Sequence, residues 1–298
     1  MRYALFTLLI FCSTLSTAER VELTDEQLAR LTIREVVGKP GLFVMPGFGG
    51  AVSGGNIAVL VTSSSVVVVD NKFDDSHDDI VTQIASVTDH PITTVLNTHH
   101  HFDHAGSNPS FMSYAQVISH DNARANMLAN RRASADPAGA PPITYSDTMS
   151  LHVDGSEIEL HHFGRGHTDG DTVIYFPNLK TVHTGDLIIW GQRLDESKLA
   201  PFIDYDNGGS AREWTATLDR LLALDFDTAI PGHGPILSRR EVEVFRHRFE
   251  VLVSRVAQAI TAGTSREKIA AAVELKDLDW PLTPDRIELI FDELSAVL

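Results

Sequence analysis

The chain has 298 residues, 43% of them hydrophobic, enough to bury a large core in one big domain or two small ones. A formal net charge of −16 argues against nucleic acid as a partner, because holding a long polyanion needs clustered lysine and arginine. The only cysteine is Cys12, close to the N-terminus, so removal of a leader would leave neither disulfides nor thiolate metal ligands.

Met1-Arg2-Tyr3, an apolar run to Cys12 and small polar residues up to Ala18 have the form of a secretory signal, with cleavage expected after Ala18. The run is too short to span ~30 Å of hydrocarbon. Bulky Phe11 before Cys12 speaks against a lipid anchor. The expected mature chain, 19–298, is periplasmic or secreted, with no stable membrane insertion once the signal is removed.

Residues 56–63 and 65–70 are β-branched runs split by one or two polar residues, which predicts a buried hairpin. Beyond Asp75, Ile80, Ile84 and Val87 recur at helical spacing until Pro91, and a strand follows over 92–97. A strand at 116–119 and a helix over 121–130 continue the β-α-β alternation. The Ala- and Pro-rich stretch 131–147 reads as a loop or lid. Strands are predicted at 157–161, 172–176 and 180–184, then a helix with Trp214, Leu218, Leu221 and Leu222 on one face, then a strand at 228–230. Start signals for three C-terminal helices are Ser238 with Glu241, Thr264 with Glu267, and Thr283 before Pro284. No repeat or linker divides the chain, so one α/β domain with a helical C-terminal portion is expected.

The segment Thr98-His99-His100-His101-Phe102-Asp103-His104 sits at the carboxyl end of a predicted strand, where open α/β sheets place their sites. A spacing of two puts His99 and His101 on one side of an extended segment and points His100 away. Asp103 and His104 then turn toward a second ion. Gly166-His167, Gly185-Asp186 and Gly232-His233-Gly234 each set a ligand-type residue beside glycine next to a predicted strand. Imidazole nitrogens and carboxylate oxygens without sulfur suit Zn2+ and tolerate Fe or Mn. Two such ions about 3.5 Å apart would share a water, lower its pKa from about 15.7 toward ~7 and polarise a carbonyl or phosphoryl oxygen.

In their order along the chain these four motifs resemble the metallo-β-lactamase superfamily, over about residues 43–234. The resemblance implies an αββα sandwich with the site at one edge of two sheets. It implies that His99, His101 and His167 hold a first metal, that Asp103, His104 and His233 hold a second, and that Asp186 bridges them. Asp103 is also the candidate catalytic residue, and two Zn2+ per chain are the expected cofactors. His100, His162 and His183 are candidate supports around the ligands, and Asp169 and Asp171 are expected to cap the turn after His167. Phe48, Trp190, Phe202 and Tyr205 are candidates for the substrate pocket.

The expected activity is hydrolysis of an ester, thioester, lactone or lactam bond in a small molecule. The run 98–106 and the bridging Asp186 look like glyoxalase II, but an exported enzyme meets little glutathione. Export favours a β-lactamase, a group that usually carries Cys or Ser where this chain has Asp186. A phosphodiesterase fits the metals but not the acidic balance. A non-catalytic metal-binding or relay protein would have little reason to keep all seven ligands.

Overall fold

Unbroken apolar runs such as Val66–Val69, buried at every position, mark strands covered on both faces, and the architecture follows from that demand. The computed structural model describes residues 23–296. The expected secretory signal and Cys12 lie outside the described residues.

Thirteen strands form two sheets. The first runs in chain order through β1 (Arg34–Glu35), β2 (Leu42–Met45), β3 (Ile57–Val61), β4 (Val66–Val69), β5 (Ile92–Leu96), β6 (Gln116–His120) and β7 (Ile143–Tyr145). The second contains β8 (Thr148–Val153), β9 (Ser156–His161), β10 (Val173–Phe176), β11 (Thr181–His183), β12 (Thr228–Ile230) and β13 (Leu237–Ser238), in the order β13-β12-β11-β10-β9-β8. Pairing is antiparallel from β1 to β4 and parallel from β4 to β7. In the second sheet β11 and β12 are parallel and the other pairs antiparallel.

Among the described residues there are ten α-helices: α1 (Asp25–Leu31), α2 (Gly50–Ser53), α3 (His77–Ala85), α4 (Phe102–Ala105), α5 (Asn108–Phe111), α6 (Asp121–Ala129), α7 (Ala211–Leu221), α8 (Arg239–Thr261), α9 (Arg266–Ala272) and α10 (Pro284–Ser295). Alternation along each strand sorts its side chains between two faces. Leu42, Val44, Val67, Val69 and Leu96 meet Ile158, Leu160, Ile174 and Ile230 between the sheets. Met45, Val66, Val68 and Val95 turn the other way, onto Ile80 and Ile84 of α3. On the far side Val173, Val182 and Ala229 pack under Trp214, Leu218, Phe245 and Phe249 of α7 and α8. The four layers are those of the expected αββα sandwich.

Several sequence expectations need adjustment. The stretch 131–147 is more than a loop, because it contains β7, which pairs with β6 and closes the first sheet. Three residues are too few to show a period of two. The edge strand β8, half-buried on alternate residues, has the polar–apolar alternation of a half-covered strand but is absent from the sequence-based expectations. The Ser238–Glu241 capping box is present and starts α8. By contrast α9 is capped at Ser265, because the Thr264 amide is still tied to Ala259 O at the end of α8. Among the described residues no helix is long and apolar enough to cross a membrane.

Candidate metal centre

The site grows from the carboxyl end of β5. Asp70, just past neighbouring β4, accepts the Thr98 amide at 2.8 Å and the Thr98 hydroxyl at 2.7 Å, fixing the first residue of the histidine motif. That hydroxyl, having given its proton to Asp70, accepts from His99 Nδ1 at 3.0 Å. Nε2 of His99 then carries a lone pair, buried without a partner.

The other four imidazoles obey the same logic, since a carboxylate or carbonyl can only accept. His101 donates from Nε2 to Asp204 at 2.7 Å, and His104 donates from Nδ1 to Asp70 at 2.8 Å. His167 donates from Nδ1 to the carbonyl of Phe202 at 2.6 Å, and His233 to that of Gly54 at 3.0 Å. The remaining nitrogen of each ring faces inward. His101 Nδ1 and His167 Nε2 lie 2.9 Å apart, and His104 Nε2 and His233 Nε2 3.2 Å apart.

Asp186 stands between the two groups. Its Oδ1 is 3.3 Å from both His104 Nε2 and His233 Nε2, and its Oδ2 is 3.6 Å from His167 Nε2. Asp103 turns Oδ2 to within 3.4 Å of His233 Nε2. Donor atoms of His99, His101, His167 and Asp186 form one cluster within 4.8 Å, and those of Asp103, His104 and His233 form another. All seven residues expected from the sequence are thus brought together. Facing lone pairs at such distances repel unless a cation lies between them, and the nitrogen and carboxylate donors match borderline divalent ions.

The electrostatics agree. Burial opposes a charge on His104, but Asp186, Asp103 and Asp70 outweigh it and raise its pKa well above the usual imidazole value. The carboxylates that favour a proton there favour a divalent cation in its place. Burial also opposes ionisation of Asp186, yet His233 and His104 hold its carboxyl well below the usual range. Desolvation, reinforced by neighbouring histidines, keeps His99 neutral and lowers His167 to about 4, leaving both free to ligate.

Close approach explains the flanking glycines. A Cβ on Gly232 would overlap the Asp186 carboxylate, and one on Gly55 would overlap the His104 ring.

The surrounding polar residues divide unevenly. His183 contacts Asn56 O at 3.1 Å and accepts from the Gly185 amide at 3.2 Å, bracing the turn that carries Asp186. His162 meets the Asp171 carbonyl at 2.8 Å and stacks on His120. His100 supports nothing by hydrogen bonding: it is buried, and both of its ring nitrogens lack partners. Desolvation, helped by His101, lowers its pKa to about 2. Asp171 accepts from the Thr168 amide and hydroxyl at 2.9 and 2.6 Å, and burial pushes its carboxyl up to about 8. Asp169 accepts from Asn126 Nδ2, so both aspartates shape the turn rather than orient the His167 ring.

Sequence reasoning missed Asp70 and Asp204, the two carboxylates behind the histidines, and Lys72. The Lys72 ammonium is buried and donates to the carbonyls of Pro46, Ser53 and Gly55, pinning the loop that orients His233. Among the aromatic candidates, Phe202 and Tyr205 line a cavity of about 760 Å3 beside the first cluster. Phe48 is buried under Arg30, and Trp190 lines a separate pocket below Arg248, so neither reaches that cavity.

A family model described as the metallo-beta-lactamase superfamily matches residues 50–233. The 2,4-dinitroanisole O-demethylase subunit alpha of Nocardioides sp. (strain JS1661) is 29% identical over 210 residues, 70% of this chain and 60% of that one. The chain therefore spans less than two thirds of that relative. A metallo-beta-lactamase type 2 of Bacillus cereus is 24% identical over 197 residues, covering 64% and 72% of the two chains. Among solved structures, a metallo-beta-lactamase from Pontibacter korlensis aligns with a TM-score of 0.61 at 17% identity, over 74% of this chain and 99% of that one. The stereoselective inverting sec-alkylsulfatase Pisa1 from Pseudomonas sp. aligns with a TM-score of 0.69 at 18% identity, over 90% and 51%. At such identities the two structures speak to the fold alone. Taken with the family match over most of the chain, the likeness shows that this protein belongs to the metallo-β-lactamase superfamily, whose members are generally hydrolytic, and that it carries a buried His/Asp cluster able to hold metal ions.

Proposed function

We propose that the chain is a dinuclear metallohydrolase, loaded with Zn2+, that opens an ester, thioester, lactone or lactam bond of a small molecule. The observation that carries this reading is the orientation of Asp186, one oxygen toward each cluster, among five imidazoles whose inward nitrogens are fixed as lone pairs. Two bound ions would supply Lewis acidity and lower the pKa of a shared water.

The chain's own residues divide the remaining work. Asp70, Asp204 and the carbonyls of Phe202 and Gly54 hold the ligand rings in their tautomers, which limits reorganisation during reaction. Asp103 has the most exposed side chain among the carboxylates of the two clusters, at the mouth of the second, where it can accept a proton and orient a nucleophile. The secretory pattern of residues 1–18 supports a periplasmic or secreted enzyme, whose mature chain would begin at Glu19 in fractionated cells. The acidic balance supports a small-molecule substrate over nucleic acid or a membrane.

The test is metal analysis joined to a substrate panel: a cephalosporin, a lactoyl thioester, a lactone, a phosphodiester and 2,4-dinitroanisole. About two equivalents of metal per chain and chelator-sensitive turnover of an acyl substrate are expected. Saturation at one equivalent, or activity indifferent to chelation, refutes the proposal. A β-lactamase reading draws support from the named activity of the Bacillus cereus relative, and the cephalosporin decides it.

A further inference from the structure

The cavity beside the first cluster is lined by Phe102, by the 201–206 segment and by residues of α8 and α10. Its volume, about 760 Å3, falls in the range of roughly 300–1,000 Å3 typical of small-ligand sites. Three large apolar side chains at its lip are unusually open to solvent: Phe102 at 47%, Phe202 at 38% and Leu289 at 42%. Clustered exposed apolar groups beside a reactive centre mark a binding surface rather than a packing defect.

The cavity lining carries two arginines and three aspartates, and one of its cations stands without a carboxylate partner. Arg286, on α10, is half-buried; its guanidinium lies 5.3 Å over the Phe202 ring and donates to Pro201 O at 3.3 Å. Among the described residues no carboxylate oxygen lies within 4.0 Å of it, whereas Arg246, Arg255 and Arg266 are all paired. Arg132 adds a second cation at the rim. Of the acids that line the cavity, Asp204 is committed to His101 and Asn207, and Asp206 and Asp285 are exposed. Phe202 joins the cavity to the reactive centre: its carbonyl orients His167, and its ring lies 5.7 Å from that of His167 and 6.5 Å from that of His101.

We propose that this cavity holds the non-reacting part of the substrate, an apolar or aromatic body ending in an anionic group, with Arg286 as the anchor. The assignment rests on the hydrolase reading above for its place in catalysis. Phe102, Phe202 and Leu289 take the apolar body, and the half-buried guanidinium takes the anion through charge-assisted hydrogen bonds. The substrate class is therefore narrowed to amphiphilic organic acids whose scissile bond lies on the metal side of Phe202.

The test uses two fluorescent probes that differ in one sulfonate, 8-anilinonaphthalene-1-sulfonate and N-phenyl-1-naphthylamine, titrated into the full mature chain with metal and after chelation. The anionic probe should bind more tightly than the neutral one. Arg286→Gln should weaken the anionic probe about tenfold and change the neutral one less than about twofold, while Leu289→Glu weakens both. The anionic probe should also raise the KM of any hydrolysed substrate without lowering kcat. Equal affinity for the two probes, indifference to Arg286→Gln, or inhibition that leaves KM untouched overturns the proposal. If Arg286-dependent binding holds but nothing in the panel is hydrolysed, the hydrolase reading falls and the anion site stands.

Discussion

Asp70 accepts the Nδ1 proton of His104 at 2.8 Å while also holding both the amide and the hydroxyl of Thr98, so one carboxylate outside the metal clusters orients two segments of the histidine motif. Replacing it by asparagine leaves the shape and removes the charge. Asp70→Asn should weaken binding of the second ion by about 10–100-fold, read by titration against a metal chelator. Asp204→Asn should do the same at the first cluster. Unchanged affinities in both would show that the imidazoles need no carboxylate behind them.

The double role of Asp186 gives a sharper contrast. A carboxylate offsets the repulsion between two cations, which a neutral amide cannot do. Asp186→Asn should lose the second ion preferentially and lower kcat far more than it raises KM. His100→Leu is the matched control: both His100 nitrogens are buried without partners, so an apolar replacement of similar size forfeits no hydrogen bond. It should keep both ions. The reverse pattern would mean that the ligands have been misassigned.

Burial lowers the pKa of Lys72 from 10.5 to about 7, against the pull of Asp103 and Asp79. Between those values the unfolded chain binds the extra proton, so stability should rise with pH across that interval and level off above it. Urea midpoints of the native chain compared with Lys72→Met at pH 7 and pH 10 isolate this contribution. Lys72→Met should also loosen the loop bearing Gly54, whose carbonyl orients His233, and lower affinity for the second ion. A flat difference between the two pH values would remove Lys72 from the linkage.

Outside the two ligand clusters, Ser238 and Glu241 cap α8 reciprocally, with Glu241 accepting from the Ser238 amide at 2.7 Å. Ser238→Ala should lower unfolding stability by about 1 kcal/mol. Metal content and turnover should not change.

The seven clustered side chains were legible because each stands in a short motif, beside glycine or another ligand, at a predicted strand end. Asp70 and Asp204 were not, because their partners His104 and His101 lie 34 and 103 positions away and nothing local marks either acid as special. Arg286 and Lys72 were hidden for the same reason: a lone cation in a helix or turn reads as a solvated charge until the fold buries it. Among the elements, the long amphipathic helices and the parallel strands stood out through their periods. The three residues of β7 are too few to do so, whereas the polar–apolar alternation of β8 is a strand signal that the sequence does carry.

Both clusters draw on both halves of the chain. His99, His101, Asp103 and His104 leave the first sheet after β5, whereas His167, Asp186 and His233 leave the second sheet after β9, β11 and β12. Neither sheet alone offers more than two donors to either cluster. On the proposed two-metal reading, capture would follow docking of the two sheets, and bound ions would tie the seam between them. A metal-loaded centre would then favour the correctly docked chain, because a misdocked one would present only half-sites.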